Sequence, residues 1–126
     1  MLQKKLLLFL LVLQLQIIFA QQKTYLISEV ATSPEFPGGL VMLKSFIATH
    51  FEMPEDANVF GQLELGFTVD TKGRLLNFEI IKDLGEGTGQ EAIRVLANSP
   101  RWKPGSLIDG TAVNVYLVVP IKLQSR

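Results

Sequence analysis

From Ala112 to Leu123 the chain alternates without a break. Val113, Val115, Leu117, Val119, Ile121 and Leu123 fall on one side, and Asn114, Tyr116, Val118, Pro120 and Lys122 on the other. A period of two sustained this long describes a strand with one face on a core. Pro120 narrows the choice further. It has no amide proton, so it belongs on a sheet edge or at a bulge. Side-chain face and hydrogen-bonding direction alternate together, so an outward Pro120 implies that Asn114, Tyr116 and Val118 also aim their backbone groups outward, as a template for another chain.

The rest of the chain supplies the other elements. Tyr25 to Val30 has the makings of a short strand in a polar lead-in, and Pro34 and Pro37 then punctuate the chain. Gly38 to Phe51 carries Leu40, Leu43, Phe46, Ile47 and Phe51 at the spacing of an amphipathic helix, with Lys44 and Thr49 left for the other side and Pro54 as its latest end. Leu63, Leu65, Phe67 and Val69 alternate with Gln62, Glu64, Gly66, Thr68 and Asp70. After a turn at Asp70-Thr71-Lys72-Gly73, Leu76, Phe78 and Ile80 form the apolar face of a second strand of the hairpin. Thr88 and Glu91 make a capping box for a second helix, which buries Ala92, Ile93, Leu96 and Ala97 and stops before Pro100. The order helix, hairpin, helix, strand predicts an α+β domain with one sheet face covered by both helices. The crossover rule puts the final strand beside the first strand of the hairpin and parallel to the second, leaving the first central.

Composition is uneven. Residues 1 to 20 hold 15 apolar residues, and Lys4-Lys5 precedes a run from Leu6 to Ala20 that ends at Gln21-Gln22-Lys23. This is the layout of a secretory signal peptide with Ala20 before the cut. The competing reading is a retained anchor, but the run is about 15 residues with Gln14 and Gln16 inside it, short of the roughly 20 a bilayer core needs. Residues 1–20 are thus read as a signal peptide, 21–36 as a lead-in and 37–126 as the folded domain. Without Lys4 and Lys5 the twelve basic residues fall to ten against twelve acidic, a formal charge of −2, and no basic cluster remains to neutralise a nucleic acid backbone. The absence of cysteine excludes disulfides, thiolate metal sites and thiol nucleophiles.

The remaining chemical signals have plain readings. Gly85-Glu86-Gly87-Thr88-Gly89 looks like a phosphate-cradling loop, but Gln90 stands where the third glycine belongs, and Asp83 and Glu86 repel an anion. His50 is the one histidine and reads as a helix-end residue facing the last carbonyls rather than as a metal ligand. No serine lies in a nucleophile-elbow context, so no catalytic residue, cofactor or metal is expected and the chain is not read as an enzyme. Trp102, between Pro100 and Pro104, reads as packing over the core edge, with a ligand-stacking ring as the alternative. Phe36-Pro37-Gly38-Gly39 is either a recognition loop or a turn that starts the helix.

Over residues 34 to 123 the chain resembles the C-terminal domain of TonB-type energy transducers, proteins of the Gram-negative cell envelope. The resemblance rests on Pro34-Glu35-Phe36-Pro37-Gly38-Gly39, Gly61-Gln62-Leu63-Glu64-Leu65-Gly66-Phe67-Thr68-Val69 with Gly73, Glu91-Ala92-Ile93-Arg94, Trp102-Lys103-Pro104-Gly105 and Val119-Pro120-Ile121. It implies a three-stranded antiparallel sheet with two helices, and a C-terminal strand that pairs with a short segment of TonB-dependent outer-membrane receptors in transmembrane transport. A partner contact is also implied after the first helix, where Met53-Pro54 replaces the family's Tyr-Pro. Gln21 to Phe36 spans only about 50 Å fully extended, too short for the periplasm-crossing arm of a full transducer. The expectation is therefore a free-standing periplasmic binding module. Its partner-binding residues are Asn114, Val115, Tyr116, Leu117, Val118, Val119 and Pro120, with Met53 and Pro54. The alternative is a homodimeric or structural envelope adaptor that uses the same edge. No nucleic acid or small-molecule substrate is expected.

Overall fold

The computed structural model describes residues 2–20 and 23–125, with side chains for 2–14 and 23–125. The leader junction expected at Gln21-Gln22 lies outside the described residues. In chain order the elements are α1 (Leu2–Ala20), β1 (Thr24–Leu26), a 3₁₀ turn at Ile27–Glu29, α2 (Leu40–His50), β2 (Phe60–Val69), β3 (Leu75–Lys82), α3 (Thr88–Ala97), β4 (Gly105–Ser106) and β5 (Ala112–Gln124). The described side chains of α1 are all exposed, and none joins the core. Among the described residues no helix is long and apolar enough to cross a membrane.

The α+β class is as the periodicities indicate, and β2 lies between β3 and β5, antiparallel to both. The sheet as a whole is not a clean three-stranded antiparallel one. Its order is β1-β5-β2-β3, and β1 runs parallel to β5 with Thr24, Tyr25 and Leu26 opposite Asn114, Val115 and Tyr116. The two-residue β4 pairs with the start of β5. The lead-in is thus woven into the domain. Glu35 and Lys103 exchange backbone hydrogen bonds (3.0 and 2.8 Å), Ser106 does the same with Thr32, and Phe36 is buried. The predicted strand at Tyr25 to Val30 stops at Leu26, where the Leu26 N–H donates to the Glu29 carboxylate at 2.8 Å and the chain tightens into the 3₁₀ turn.

Leu63, Leu65, Phe67 and Val69 of β2 and Leu117, Val119 and Ile121 of β5 meet Leu43 from α2 and Ala92 and Leu96 from α3 in one core. Its aromatic centre is Phe67 against Trp102 (5.4 Å, near perpendicular) and Trp102 against Phe36 (5.8 Å, perpendicular), the edge-to-face geometry that ring quadrupoles favour. The packing reading of Trp102 is the one observed, with its indole N–H donating to Ser99 Oγ at 3.2 Å. Phe36-Pro37-Gly38-Gly39 places Phe36 in this core, and Gly39 caps the start of α2.

Four local expectations change, the simplest at the end of α3, where Ala97 is exposed and Val95 is buried in its place. Asn77 takes a left-handed φ of 56° at an irregularity in the β2–β3 register, which reverses which side faces the core. Leu75, not Leu76, therefore packs inward with Phe78 and Ile80. The Thr88 capping box does not form: Thr88 sits inside the first turn, its hydroxyl donating to the Gly85 carbonyl at 2.7 Å, while Glu91 accepts from the Glu52 N–H at 2.8 Å. Leu40 begins α2 exposed, beside the equally exposed Val41 and Met42.

Candidate functional site: the outer flank of the last strand

The flank of β5 is decided by one parity. Ser125 N–H donates to the Val59 carbonyl, and the register with β2 runs unbroken from Gln124 to Val115. Residues two apart share a direction, so Leu123, Ile121, Val119 and Leu117 bond toward β2. Gln124, Lys122, Pro120, Val118, Tyr116 and Asn114 then aim outward, so Pro120 withholds no hydrogen from β2. The side chains follow: Val113, Val115, Leu117, Val119 and Ile121 are buried, while Val118, Pro120 and Lys122 are exposed.

The outward flank is not open along its whole length. Asn114 to Tyr116 are already paired by β1, and the 3₁₀ turn after β1 also touches β5. This corrects the expectation of a free edge from Asn114 onward; parallel pairing with the lead-in had no periodic signal in three residues. Beyond Tyr116, no strand among the described residues lies on that side. The free backbone groups are the N–H of Val118, Lys122 and Gln124 and the outward carbonyls of Val118, Pro120, Lys122 and Gln124.

Tyr116 does not project beyond the edge. Its ring lies across Gly66 of β2, and its hydroxyl reaches Glu79 of β3 at 3.2 Å. Burial together with the Glu79 carboxylate pushes the phenol pKa up. A Cβ at position 66 would overlap the Tyr116 hydroxyl, so the glycine is what lets the ring lie flat. Tyr116 thus acts as a brace across three strands.

Beside the free stretch of β5 runs a groove of about 600 Å³, walled by Lys44, Ile47, Ala48 and Phe51 at the end of α2, by Met53, and by Pro120 to Gln124. Its lining is apolar apart from two glutamines and the two lysines, Lys44 and Lys122. The structure therefore brings Met53 to the same place as Pro120. Pro54 points away, packing toward Gly87 at the start of α3. The loop carrying Met53 is clipped to α3: Glu91 accepts from Glu52 N–H, and Arg94 donates to the His50 carbonyl (2.9 Å) and to Glu91 (2.9 Å). Hydrogen bonding from Arg94 holds the Glu91 carboxyl below the usual range, against its burial. His50 is turned back on its own helix, with Nδ1 at 2.8 Å from the Phe46 carbonyl and its ring on Phe46.

The groove wall on α2 was missed by sequence reading. Ile47 and Phe51 carried the helical period that marks a core face, and only Lys44 stood out as turned elsewhere. The opposite edge of the sheet, β3, is interrupted by the register shifts around Asn77, a feature that blunts strand pairing. Among the described residues no group of His, Cys, Asp or Glu is placed to hold a metal ion. No family model, characterised protein or solved structure matches this chain.

Proposed function

We propose that the domain, lead-in included, is a TonB C-terminal-like interaction module of the cell envelope, which takes an extended segment of a partner protein as an added strand on β5. The observation that carries this reading is the unpaired flank from Leu117 to Gln124, aligned with an apolar groove under Met53 and α2. Strand addition would satisfy the outward N–H and C=O groups, and alternate partner side chains would enter the groove. TonB-dependent outer-membrane receptors are the proposed partners, with other envelope proteins as the wider class, and the work of the domain is binding rather than catalysis. The leader supports an envelope location. Lys4-Lys5 ahead of an apolar run, with the described side chains of the helix exposed, suits export machinery rather than the domain's own core.

The test is to titrate peptides from the periplasm-facing ends of outer-membrane receptors and follow backbone amide shifts. Perturbation at Val118, Lys122 and Gln124 is expected. The same samples weighed across a dilution series should show a constant mass; a mass that doubles with concentration would move the assignment to a homodimer on the same edge.

A further inference from the structure

The strand that fills the first part of the β5 flank is held far less firmly than the rest of the sheet. β1 is three residues long and pairs in parallel, the weaker arrangement per residue. Thr24 and Leu26 are exposed, Tyr25 is only half-buried, and none of the three belongs to the core. Lys23 over the Tyr25 ring, at 4.6 Å, is a contact within the segment itself. Firm anchoring begins only at Ala31 and Thr32, whose N–H groups both reach the Ser106 carbonyl at 3.0 Å, and continues through the Glu35 and Lys103 pair. Everything from Thr24 to Val30 lies upstream of that anchor, joined to it through the single 3₁₀ turn.

The position of this weakly held segment matters. β1 covers the outward groups of Asn114 and Tyr116, and the turn after it rests against β5. A strand added along Val118 to Gln124 finds its ladder broken at Pro120 and reaches further outward donors only at Tyr116 and Asn114. To use them it must meet β1 and the turn.

We propose that β1 is a displaceable strap that competes with the partner strand for the Asn114 to Tyr116 stretch of β5, so that the module's own lead-in sets its affinity. This rests on the strand-addition reading above. Closed, the strap leaves a short, interrupted ladder; opened about the Ile27–Val30 hinge, it frees an edge running from Asn114 to Gln124.

The test locks the strap. Thr24 and Asn114 are register partners on neighbouring strands, about 4.8 Å apart in such a ladder and within the range a disulfide spans. The chain has no cysteine of its own, so T24C with N114C gives one unambiguous bond. Asn114 also accepts the Thr71 N–H at 3.1 Å, so the reduced double variant, rather than the native chain, is the reference. Two readings are taken on the full chain. Amide hydrogen exchange, which needs no partner, is read at Tyr25, whose N–H is the one of the three in β1 that faces β5 in this register; it should be at least about 100-fold faster there than at Leu63, Leu65 and Phe67 in reduced protein, and should slow on oxidation. Exchange at Tyr25 as slow as in β2 before oxidation would overturn the strap. Binding of a receptor-derived peptide should weaken about tenfold on oxidation and recover on reduction. Equal affinity in both forms would overturn the strap while leaving strand addition standing. Binding by neither form would contradict strand addition, and the exchange rates would still report whether β1 opens.

Discussion

Two side chains show how single residues set this site. Tyr116 lies over Gly66, so Gly66→Ala forces ring and backbone apart. A loss of about 1 to 3 kcal/mol in denaturant unfolding is expected. In a Tyr116→Ala background the same substitution should cost little, because the overlapping atoms are gone, and additive losses would contradict the brace. Asp70 is the second case. Burial acts to raise its pKa, but the N–H groups of Arg74 and Lys72 and the Arg74 guanidinium (2.7 Å) outweigh it and hold the carboxyl below its ordinary value. The folded state thus binds this proton less readily than the unfolded chain. The stabilisation is complete above the unfolded value of about 3.9 and is lost as pH falls through the lower folded value. Thermal melts should show a steeper acid loss in the native protein than in Asp70→Asn, which should already be less stable at neutral pH; parallel acid profiles would contradict the assignment. Gly73 in the same turn was legible as a turn glycine. That it also lies under the Trp102 carbonyl, where a Cβ would overlap, was not, because the contact joins positions with no shared local pattern.

Among the elements, the strands were the most legible. β5 sits between a core and an open face and its period of two reports it directly, whereas β2 carries the same period in sequence but is buried on both sides from Leu65 to Val69, where the Tyr116 ring lies across Gly66. β3 was half-legible: its apolar residues include both Leu75 and Leu76, and the bulge that chooses between them depends on the backbone of Asn77, which hydropathy does not record. The parity of β5 makes a prediction of its own. Val118→Pro removes an outward N–H and should change stability by less than about 1 kcal/mol while weakening peptide binding. Val119→Pro removes an N–H bonded to β2 and should cost about 2 kcal/mol or more. Unfolding curves and peptide titrations on the two variants check this together, and an equal stability loss in both would mean the parity is wrong.

At the scale of the whole molecule, the sequence divides the chain into leader, lead-in and domain, and the lead-in is where that division departs from the architecture. The short strand expected at Tyr25 to Val30 is there in part, as β1, but its pairing with β5, the burial of Phe36 and the backbone bonds to Lys103 and Ser106 leave no periodic trace in so short a stretch. The groove beside β5 was invisible for a related reason: it is made by α2 and β5 meeting across the fold, and each wall alone reads as core or edge. If the leader is an export signal, the protein recovered from the envelope should begin at Gln21, as N-terminal sequencing would read, and a chain still carrying Lys4 and Lys5 would contradict it. Whether β5 accepts a partner strand beyond Tyr116 is decided by amide shift mapping with receptor-derived peptides. Saturable shifts are expected at Val118, Lys122 and Gln124, with Lys44, Ile47 and Met53 following across the groove. Silence at those positions at saturating peptide, or shifts gathered on β3 instead, would contradict strand addition.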